Sequence, residues 1–398
     1  MFIFLVLLPF SAGALEKAVV LPKGVSHPAL RLGTITGFGD KFHSDGLLAS
    51  VGDTYSKTFD SRTLTTVFPE ARALVDSLNQ FGSYKLGDQL NLGTLKIEAD
   101  PKVRFEAAVF AHGFTEHFSL AVALPVVHYS VKTSVYQTEG NLNEIAAALP
   151  ADLRAQVSKL PLDLVNGFHS RLASAGYAAF GERSQTFMAD AQLLGFYRYH
   201  QSRFWSGVVK STLTLPTGPK DDPDDLLDLP FFGQTAFGIH FLQDMNPMRD
   251  LVIGAYAGHT IKLPDRSVKR VPRDDQDVLP EADRKEELVR DLGDVTTAGV
   301  NARYMLSDAW EAGTGLEFGF KGPDSYSGNR GYNYSLLSRN SSSEWQKLQG
   351  SLEFSTTNWF LKNEFALPVA IAYEYSDIIS GFNVERQISH ELTFKGYF

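Results

Sequence analysis

The densest group of chemically active side chains is an acidic run near the middle of the chain. Asp221, Asp222, Asp224 and Asp225 are almost contiguous, and carboxylate oxygens are the ligands that Ca²⁺ prefers in proteins. However, Pro223 interrupts the spacing that calcium loops use, and no glutamate follows at the distance where such loops supply a bidentate ligand. We therefore interpret the run as a solvated acidic loop, and we predict neither a metal ion nor a cofactor.

Motifs that would carry catalysis are missing from the sequence. The chain has no Cys, and its 10 His residues are scattered without a metal-ligand spacing. It contains no phosphate-binding glycine loop, no His-Glu-x-x-His zinc motif and no Gly-x-Ser-x-Gly nucleophile elbow. Ser, His and acidic residues are numerous, but a catalytic triad is recognised by geometry and no group of them is singled out. We predict that the protein is not an enzyme and has no catalytic residues.

Charge and composition exclude one large class of partners. Lys and Arg number 37 and Asp and Glu number 46, which gives a net charge of −9. A general nucleic-acid binder needs an excess of Lys and Arg for its phosphate contacts, so we predict no nucleic-acid partner. A hydrophobic fraction of 43% and a mean hydropathy of −0.13 fit a soluble protein and a membrane β-barrel equally well, because a barrel places its apolar residues at alternate positions.

The amino-terminal residues resemble an export signal. Phe2–Phe10 is an apolar run, and the small residues Ser11-Ala12-Gly13-Ala14 that follow it fit a cleavage site, so we predict a signal peptide over residues 1–14. A buried strand or a short core helix is the alternative. After Ala14 no apolar stretch approaches the roughly 20 residues of a transmembrane helix. A mature chain that spans a membrane must therefore do so as a closed barrel.

The last residues of the chain alternate between apolar and polar side chains, up to Phe398. Successive side chains of a strand point to opposite faces, so this segment has one apolar and one polar face. It resembles the terminal strand of bacterial outer-membrane barrels, which the barrel-assembly machinery reads as a signal. We assign the assembly signal to Leu392, Phe394 and Phe398, whereas His390 and Gly396 depart from the apolar parity.

The same two-residue period recurs upstream in three segments, Trp310–Lys321, Trp345–Thr356 and Glu364–Ser376. In each of them large apolar side chains alternate with small or charged ones. A soluble β-sandwich would show the same alternation. The length separates the two classes, because these runs have about 11–15 residues whereas sandwich strands average nearer five or six. The pattern favours strands that cross a membrane. The charged residues on the predicted inward parity are Glu311, Glu317, Lys321, Lys347, Glu353, Glu364 and Glu374.

Short and long connections alternate along the chain, as they do between the two rims of an outer-membrane barrel. Counting back from Phe398, we predict an all-β, antiparallel up-and-down barrel of about 12 strands over residues 90–398, with about 14 strands as the alternative. Residues 15–89 carry glycines that break the strand pattern and a helical period over Phe68–Phe81, so we predict an N-terminal extension or plug there. The alternative is a leader followed by one or two strands, and two strands within Leu30–Asp60 would bring the count to about 14. Residues 134–186 form an insert in one long external loop.

This insert is unusually apolar. Asn141–Ala179 has helical periodicity, and so much apolar surface must be buried against the insert itself and the barrel mouth, or against a ligand. One hypothesis is that the insert packs on itself as a lid. The other is that it gathers hydrophobic solutes at an entrance. The candidate residues for that entrance are Leu153, Val157, Leu164 and Phe168.

Two short motifs resemble a known group of membrane proteins. The hairpin Phe105–Val127 contains His112-Gly113-Phe114-Thr115-Glu116-His117-Phe118, and a later strand ends in Leu213-Thr214-Leu215-Pro216-Thr217-Gly218. These pieces resemble the outer-membrane barrels of the phenol-degradation MetA-pathway group, which are similar to the long-chain fatty-acid transporter family. The resemblance implies passive uptake of hydrophobic compounds through a barrel with a plug and external helices. It transfers no ligand-binding residue, because no matched motif contains one.

Together these patterns predict a channel in the bacterial outer membrane that takes up small, hydrophobic solutes passively. Its partners would be outer-membrane lipid, the barrel-assembly machinery and the solute. A general diffusion porin is the first alternative, and a structural or adhesive surface barrel is the second. The apolar insert favours the first reading, whereas the inward-parity charges suit any polar lumen.

The terminal strand leads to a test of assembly. Replacing Phe394 and Phe398 together by Ser should impair membrane insertion, because both rings lie on the predicted lipid-facing parity. The measurement is the amount of outer-membrane protein that migrates faster unheated than boiled, since a closed hydrogen-bond ladder resists detergent. Normal membrane levels of the double variant would show that the terminal strand has been misread.

Overall fold

The structure is a computed structural model, and it describes residues 15–54, 56–67, 72–80, 85–147, 149–151, 154–155, 163–228, 233–275 and 277–398. The predicted signal peptide, residues 1–14, lies outside the described residues. The strands are β1 (Ser26–Thr36), β2 (Asp40–Phe42), β3 (Leu48–Ser50), β4 (Lys57–Asp60), β5 (Asn91–Thr115), β6 (Phe118–Gln137), β7 (Arg183–Met188), β8 (Ala191–Gln201), β9 (Trp205–Leu215), β10 (Ala236–Met248), β11 (Leu251–Lys262), β12 (Asp265–Arg270), β13 (Lys285–Asp291), β14 (Val295–Met305), β15 (Trp310–Lys321), β16 (Ser325–Ser327), β17 (Ser343–Ser355), β18 (Val369–Phe382), β19 (Val384–Glu385) and β20 (Ile388–Gly396). The α-helices are α1 (Ser61–Val67), α2 (Arg72–Gln80), α3 (Leu142–Ala147), α4 (Leu164–Ser174) and α5 (Thr357–Leu361).

Twelve strands form one closed antiparallel barrel, as the sequence predicted. Their order around the barrel is β5, β1, β20, β18, β17, β15, β14, β11, β10, β9, β8 and β6, and β6 pairs with β5 to close it. Closure leaves no free edge along these strands, which is the condition that a β-structure must meet to cross a lipid bilayer. The strands β4 and β7 pair with β5 and β6 in the same sheet but stand outside this ring.

The barrel begins earlier in the chain than residue 90. Eleven of its strands lie between β5 and β20, and the twelfth is β1, Ser26–Thr36, within the range assigned from sequence to an extension. Gly33 interrupts the two-residue period of β1, which hid this strand in the sequence. Its cross-strand partner is Phe105, and a Cβ at Gly33 would lie 2.2 Å from the Phe105 ring. The absence of a side chain at Gly33 thus leaves the space into which the Phe105 ring packs.

The alternation in the sequence corresponds to the two faces of the barrel wall. In β15 the side chains of Phe318 and Phe320 are exposed, whereas Glu317 and Lys321 are buried on the inner face. β18 repeats this pattern from Val369 onward, so residues 364–368 of the predicted strand, with Glu364, belong to the preceding turn. The outer face carries exposed apolar side chains around the barrel, among them Leu30, Phe110, Leu124, Leu193, Phe241, Ile253, Val300, Phe318, Leu348, Ile371 and Phe394.

Histidines on the outer face have hydroxyl partners on neighbouring strands. His390, which departed from the apolar parity, has its Nδ1 2.8 Å from the Tyr373 hydroxyl. A polar group that faces lipid destabilises the protein unless it is hydrogen-bonded within the protein, and these contacts supply that bond. The other such pairs are His128 with Thr186 and His259 with Thr296, both at 2.9 Å.

Both ends of the barrel-forming chain lie at the rim with the short turns. Those turns are residues 116–117, 202–204, 249–250 and 306–309. A longer connection at this rim, residues 356–368, contains α5. Here Ser26 and Phe398 exchange backbone hydrogen bonds of 2.9 and 3.0 Å, which join the start of β1 to the final residue.

Two small sheets accompany the barrel strands. β12, β13 and β16 form one sheet, and Val271, Leu288 and Leu337 make an apolar core beside it. β19, β2 and β3 form the other. Both sheets are built from connections between barrel strands.

Residues 50–100 and 132–182 form a second compact unit. Its described helices confirm helical structure within Phe68–Phe81 and Asn141–Ala179, where α2, α3 and α4 lie. The core of this unit combines side chains from all parts of it, namely Phe59, Leu64, Val75, Leu78, Leu90, Leu92, Leu95, Ile145, Leu149 and Leu164. Over the described residues, no helix has both the length and the apolar character that a membrane span requires.

The glycine–aromatic pairs can be tested for their contribution to barrel stability. Gly319 pairs with Trp345, and a Cβ at Gly319 would lie 1.9 Å from the indole ring. Gly319→Val should therefore destabilise the barrel by about 1–3 kcal/mol, as overpacking does in protein cores. The matched control is Gly350→Val in β17, since nothing lies within 4 Å of a Cβ there. The measurement is the temperature at which the fast-migrating gel band disappears, and equal midpoints for the two variants would contradict the packing role.

Candidate functional site: the barrel lumen

The residues proposed for a lid belong to the second unit. Leu164 is 3% exposed and lies in that unit's apolar core, and Phe168 packs against the same core. The Phe168 ring also meets Phe180 edge-on, with ring centroids 5.8 Å apart. Leu153 and Val157 lie outside the described residues. The two described side chains therefore support the self-packing hypothesis, and a contact of any of the four with solute stays a prediction.

The residues proposed as the assembly signal lie on the outer face of β20 and beyond it. Phe394 is exposed, Leu392 is half-buried on the same face, and Phe398 is 75% exposed at the rim. The inward neighbours Glu391 and Thr393 are buried. The lipid-facing parity of the terminal strand is thus as predicted, and recognition by the assembly machinery remains a prediction.

The acidic run is not a solvated loop. Three of its four carboxylates form ion pairs: the Asp221 side chain is 6% exposed beside Lys269, and Asp224 and Asp225 face Lys and Arg side chains of the β12–β13 sheet and β7, whereas Asp222 is exposed. Burial disfavours the charge of Asp224, yet hydrogen bonds from Lys285 and Arg270 outweigh this and lower its pKa. The sequence missed these partners because they lie about 40–70 positions away. The pairs are Asp221 with Lys269 and Arg290, Asp224 with Arg270 and Lys285, and Asp225 with Arg183. In the described ranges, no group of three or more His, Asp or Glu side chains could hold a metal ion.

The lumen is lined by charged side chains in ion pairs. On β15, β17 and β20 the inward carboxylates have Lys or Arg within salt-bridge distance, and many of these groups are buried. A buried charge is costly unless it is paired, and these pairs join side chains of strands that lie next to each other or one strand apart in the wall. The pairs are Arg31–Glu391 at 2.6 Å, Lys347–Glu317 at 2.7 Å, Lys395–Glu353 at 2.8 Å and Arg303–Asp244 at 2.5 Å.

The segment Leu15–Val20 lies inside this lumen. Its backbone is held by side chains of the barrel wall: the Ala18 N–H donates to Asp244 at 3.0 Å, and Ser206 donates to the Ala18 carbonyl at 2.9 Å. Arg198 donates to the Val20 carbonyl at 3.1 Å. These three hydrogen bonds reach β10, β9 and β8, so the segment is bound to several strands of the wall.

The charged side chains of this segment complete the lumen's ion pairs. Lys17 contacts Glu311 at 2.7 Å and Glu353 at 3.4 Å, which joins β15 to β17 through the segment. Glu16 pairs with Lys210 of β9. Both inserted charges therefore have partners on the wall, and the segment is an integral part of the lumen's electrostatics.

An apolar patch of the wall lies beneath the segment. Ala18 and Val20 form one cluster with Val208, Leu242 and Tyr256, and all five side chains are buried. The Phe196 ring packs against this cluster. The sequence did carry a signal for the patch, because Val208, Leu242 and Tyr256 are large apolar residues on the inward parity of strands whose other inward residues are polar or small. Leu15–Val20, in the range predicted as an extension or plug, therefore contacts both the charged and the apolar parts of the lumen wall.

Comparison with known proteins supports the fold. No protein-family model matches this chain, and no curated protein matches it. The crystal structure of the COG4313 outer membrane channel from Pseudomonas putida F1 superposes with a TM-score of 0.55 at 10% identity, over 97% of this chain and 99% of that one. The toluene transporters TbuX of Ralstonia pickettii and TodX of P. putida, at 9% identity, give TM-scores of 0.37 and 0.35 over 95% of this chain and 90% and 91% of theirs. These two values are too low to support a conclusion. The chain therefore has the barrel fold of the COG4313 channel, and the resemblance to the phenol-degradation group stays a prediction.

Proposed function

We propose that this chain is a channel of the bacterial outer membrane, and not an enzyme, that takes up small hydrophobic solutes passively. In this proposal the segment Leu15–Val20 is the gate. A solute enters when it takes the place of the segment's apolar side chains on the lumen wall. The solved structure with the same fold is named an outer membrane channel, which agrees with the proposal.

The outer surface of the barrel supports a membrane location. Its exposed side chains include Leu, Ile, Val and Phe on strand after strand, and water would not tolerate so large an apolar surface on a soluble monomer. The rim with the short turns carries Trp310, Phe354 and Trp359, with ring centroids 5.1 and 5.8 Å apart. Aromatic rings at such a rim are typical of the boundary between lipid and water.

The apolar patch of the lumen wall is the observation from which we infer that the solute is hydrophobic. Val208 and Leu242 are at most 1% exposed, and Ala18 and Val20 are what covers them. If the segment withdrew, these side chains and Tyr256 would face the lumen. An uncharged, compact solute could then bury the same surface, which is worth about 1.5–3 kcal/mol for each large apolar side chain that is fully covered.

The occupied lumen argues against the porin alternative. A general diffusion porin keeps a water-filled lumen, whereas here the charged inner face is engaged with itself and with Leu15–Val20. The segment's charges lie beside those of the wall, so its withdrawal would leave Lys210 and Glu311 without these partners. Opening therefore has an electrostatic cost, and the intact protein should be closed for most of the time.

The gate can be tested by comparing two adjacent valines. Val20 is buried at 2% exposure against the patch, whereas Val19 is 55% exposed. Val20→Ser should weaken the closed state by about 1–2 kcal/mol and raise the open fraction by on the order of tenfold. Val19→Ser is the matched control and should leave the channel closed. The measurement is single-channel conductance in planar bilayers, and a large, steady conductance in the unmodified protein would favour a porin instead.

The solute class can be tested on the wall itself. Leu242→Asn makes the patch polar at its centre, so uptake of an uncharged aromatic probe should fall several-fold relative to uptake of a polar probe of the same size, while barrel assembly is retained. The control is Leu348→Asn, because Leu348 is 42% exposed on the outer face of β17. Uptake is measured in whole cells, whose lipopolysaccharide layer is the barrier to apolar compounds. Unchanged uptake of the probe by the Leu242 variant would overturn the assignment of a hydrophobic solute.

A further inference from the structure

Leu15, the residue that follows the predicted cleavage site, is buried in the lumen. Its side chain is 4% exposed and covers two glycines of β15. A Cβ added to Gly313 would lie 2.6 Å from one Leu15 methyl carbon, and a Cβ on Gly315 would lie 2.8 Å from the other. The next residue, Glu16, accepts a hydrogen bond from the Asn301 amide nitrogen at 3.0 Å. The chain is thus held tightly at the residue where the mature protein would begin after cleavage.

Three buried oxygen atoms of the lumen wall have no hydrogen-bond partner among the described residues. They are Oδ1 of Asn301, Oε1 of Gln349 and Oε2 of Glu374. The three residues are 4%, 2% and 8% exposed. Leaving a buried acceptor unsatisfied is destabilising, and more so when the acceptor is charged. Three such acceptors lie in one lumen, where a donor placed among them would be stabilising.

Strand register places these acceptors beside the glycines that Leu15 covers. Gly315 of β15 pairs with Asn301 on one side and with Gln349 on the other. Gly313 pairs with Ser351 of β17, and Ser351 in turn pairs with Glu374 of β18. The glycines have no side chains of their own, so Asn301 and Gln349 flank the space that Leu15 occupies, and Glu374 faces the lumen one strand further along.

Glu374 also differs from the other inward carboxylates in its salt-bridge partners. The other inward carboxylates, such as Glu317, Glu353 and Glu391, each have a Lys or Arg at 2.6 to 2.8 Å. No salt bridge to Glu374 is found in the part of the chain that the structure describes. Its cross-strand neighbour is Glu391, whose two oxygens are both taken by Arg31 at 2.6 and 2.7 Å. Glu374 therefore has no Lys or Arg in direct contact among the described residues, and a cation bound directly to it would be favoured.

We propose that cleavage after Ala14 frees the α-amino group of Leu15 and that the resulting ammonium binds Asn301, Gln349 and Glu374 in the lumen. Hydrolysis of the Ala14–Leu15 peptide bond consumes one water, leaves a carboxylate on Ala14 and converts the amide N–H of Leu15 into an ammonium. This group has three N–H donors and one positive charge. The donors match the three free acceptors, and the charge matches Glu374. Processing thereby stabilises the N-terminal segment in its closed position.

The first test follows the amino group directly. The mature protein is purified from outer membranes in detergent, and its intact mass and N-terminal sequence should begin at Leu15. A reagent selective for α-amines, 2-pyridinecarboxaldehyde, should then modify the folded barrel on the order of tenfold more slowly than the denatured chain, because reaction requires local opening. A different first residue, or equal rates for folded and denatured protein, would overturn the proposal.

Two variants separate an ammonium site from mere burial. Glu374→Gln keeps the shape of the side chain but removes its charge, so the amine of the folded protein should become several-fold more reactive. Inserting one Gly between Ala14 and Leu15 moves the ammonium by about one residue length, roughly 3.5 Å, and should have the same effect. The matched control inserts one Gly between Lys23 and Gly24, in an exposed turn where nothing lies within 4 Å of a Cβ on Gly24. If the two insertions give equal reactivity and Glu374→Gln changes nothing, the site is wrong.

The ammonium site does not depend on what the channel transports. A protected amine in a protein that shows no preference for apolar probes would overturn the proposed function and leave the site standing. A freely reactive amine in a protein that takes up apolar probes would do the reverse.

Discussion

Closure of the hydrogen-bond ladder is the constraint on which the rest of the structure depends. Every backbone group of a lipid-facing strand needs a partner, so the first strand and the last strand have to meet. β1 meets this need by pairing with β20 on one side and β5 on the other. Both ends of the barrel-forming chain are thereby brought to one rim. The residues that precede β1 start at that rim, beside the opening of the lumen, and Leu15–Val20 enters it.

The lumen solves a second problem that closure creates. Strands that present apolar side chains to lipid present their alternate side chains to a narrow interior, where unpaired charges are costly. The wall neutralises its charges in salt bridges such as Lys347–Glu317, and the inserted segment forms further salt bridges through Glu16 and Lys17. The same segment covers the apolar patch at Val208 and Leu242. Polar and apolar contacts therefore act together to keep the segment in place.

Much of the barrel could be predicted from the sequence, because the two-residue period of β15, β17, β18 and β20 is a local property. β1 could be predicted only as an alternative, because Gly33 and other small residues hide its period and its role depends on Phe105, far along the chain. The lumen contacts could not be predicted for a related reason: Glu16 and Lys210 are 194 positions apart, and only the register brings them together. The acidic run was misread likewise, since its counter-charges come from β7, β12 and β13.

The pairing of β1 with β20 also sets an order of events in time. This seam joins the first strand of the chain to the last, so it has the largest sequence separation of any strand pair in the barrel. Contacts that distant are slow to form, because the loop-closure entropy is lost before the contacts repay it. The wall can remain open at this seam until β20 has been delivered. The N-terminal segment has that interval in which to settle between the walls before the cylinder is sealed around it.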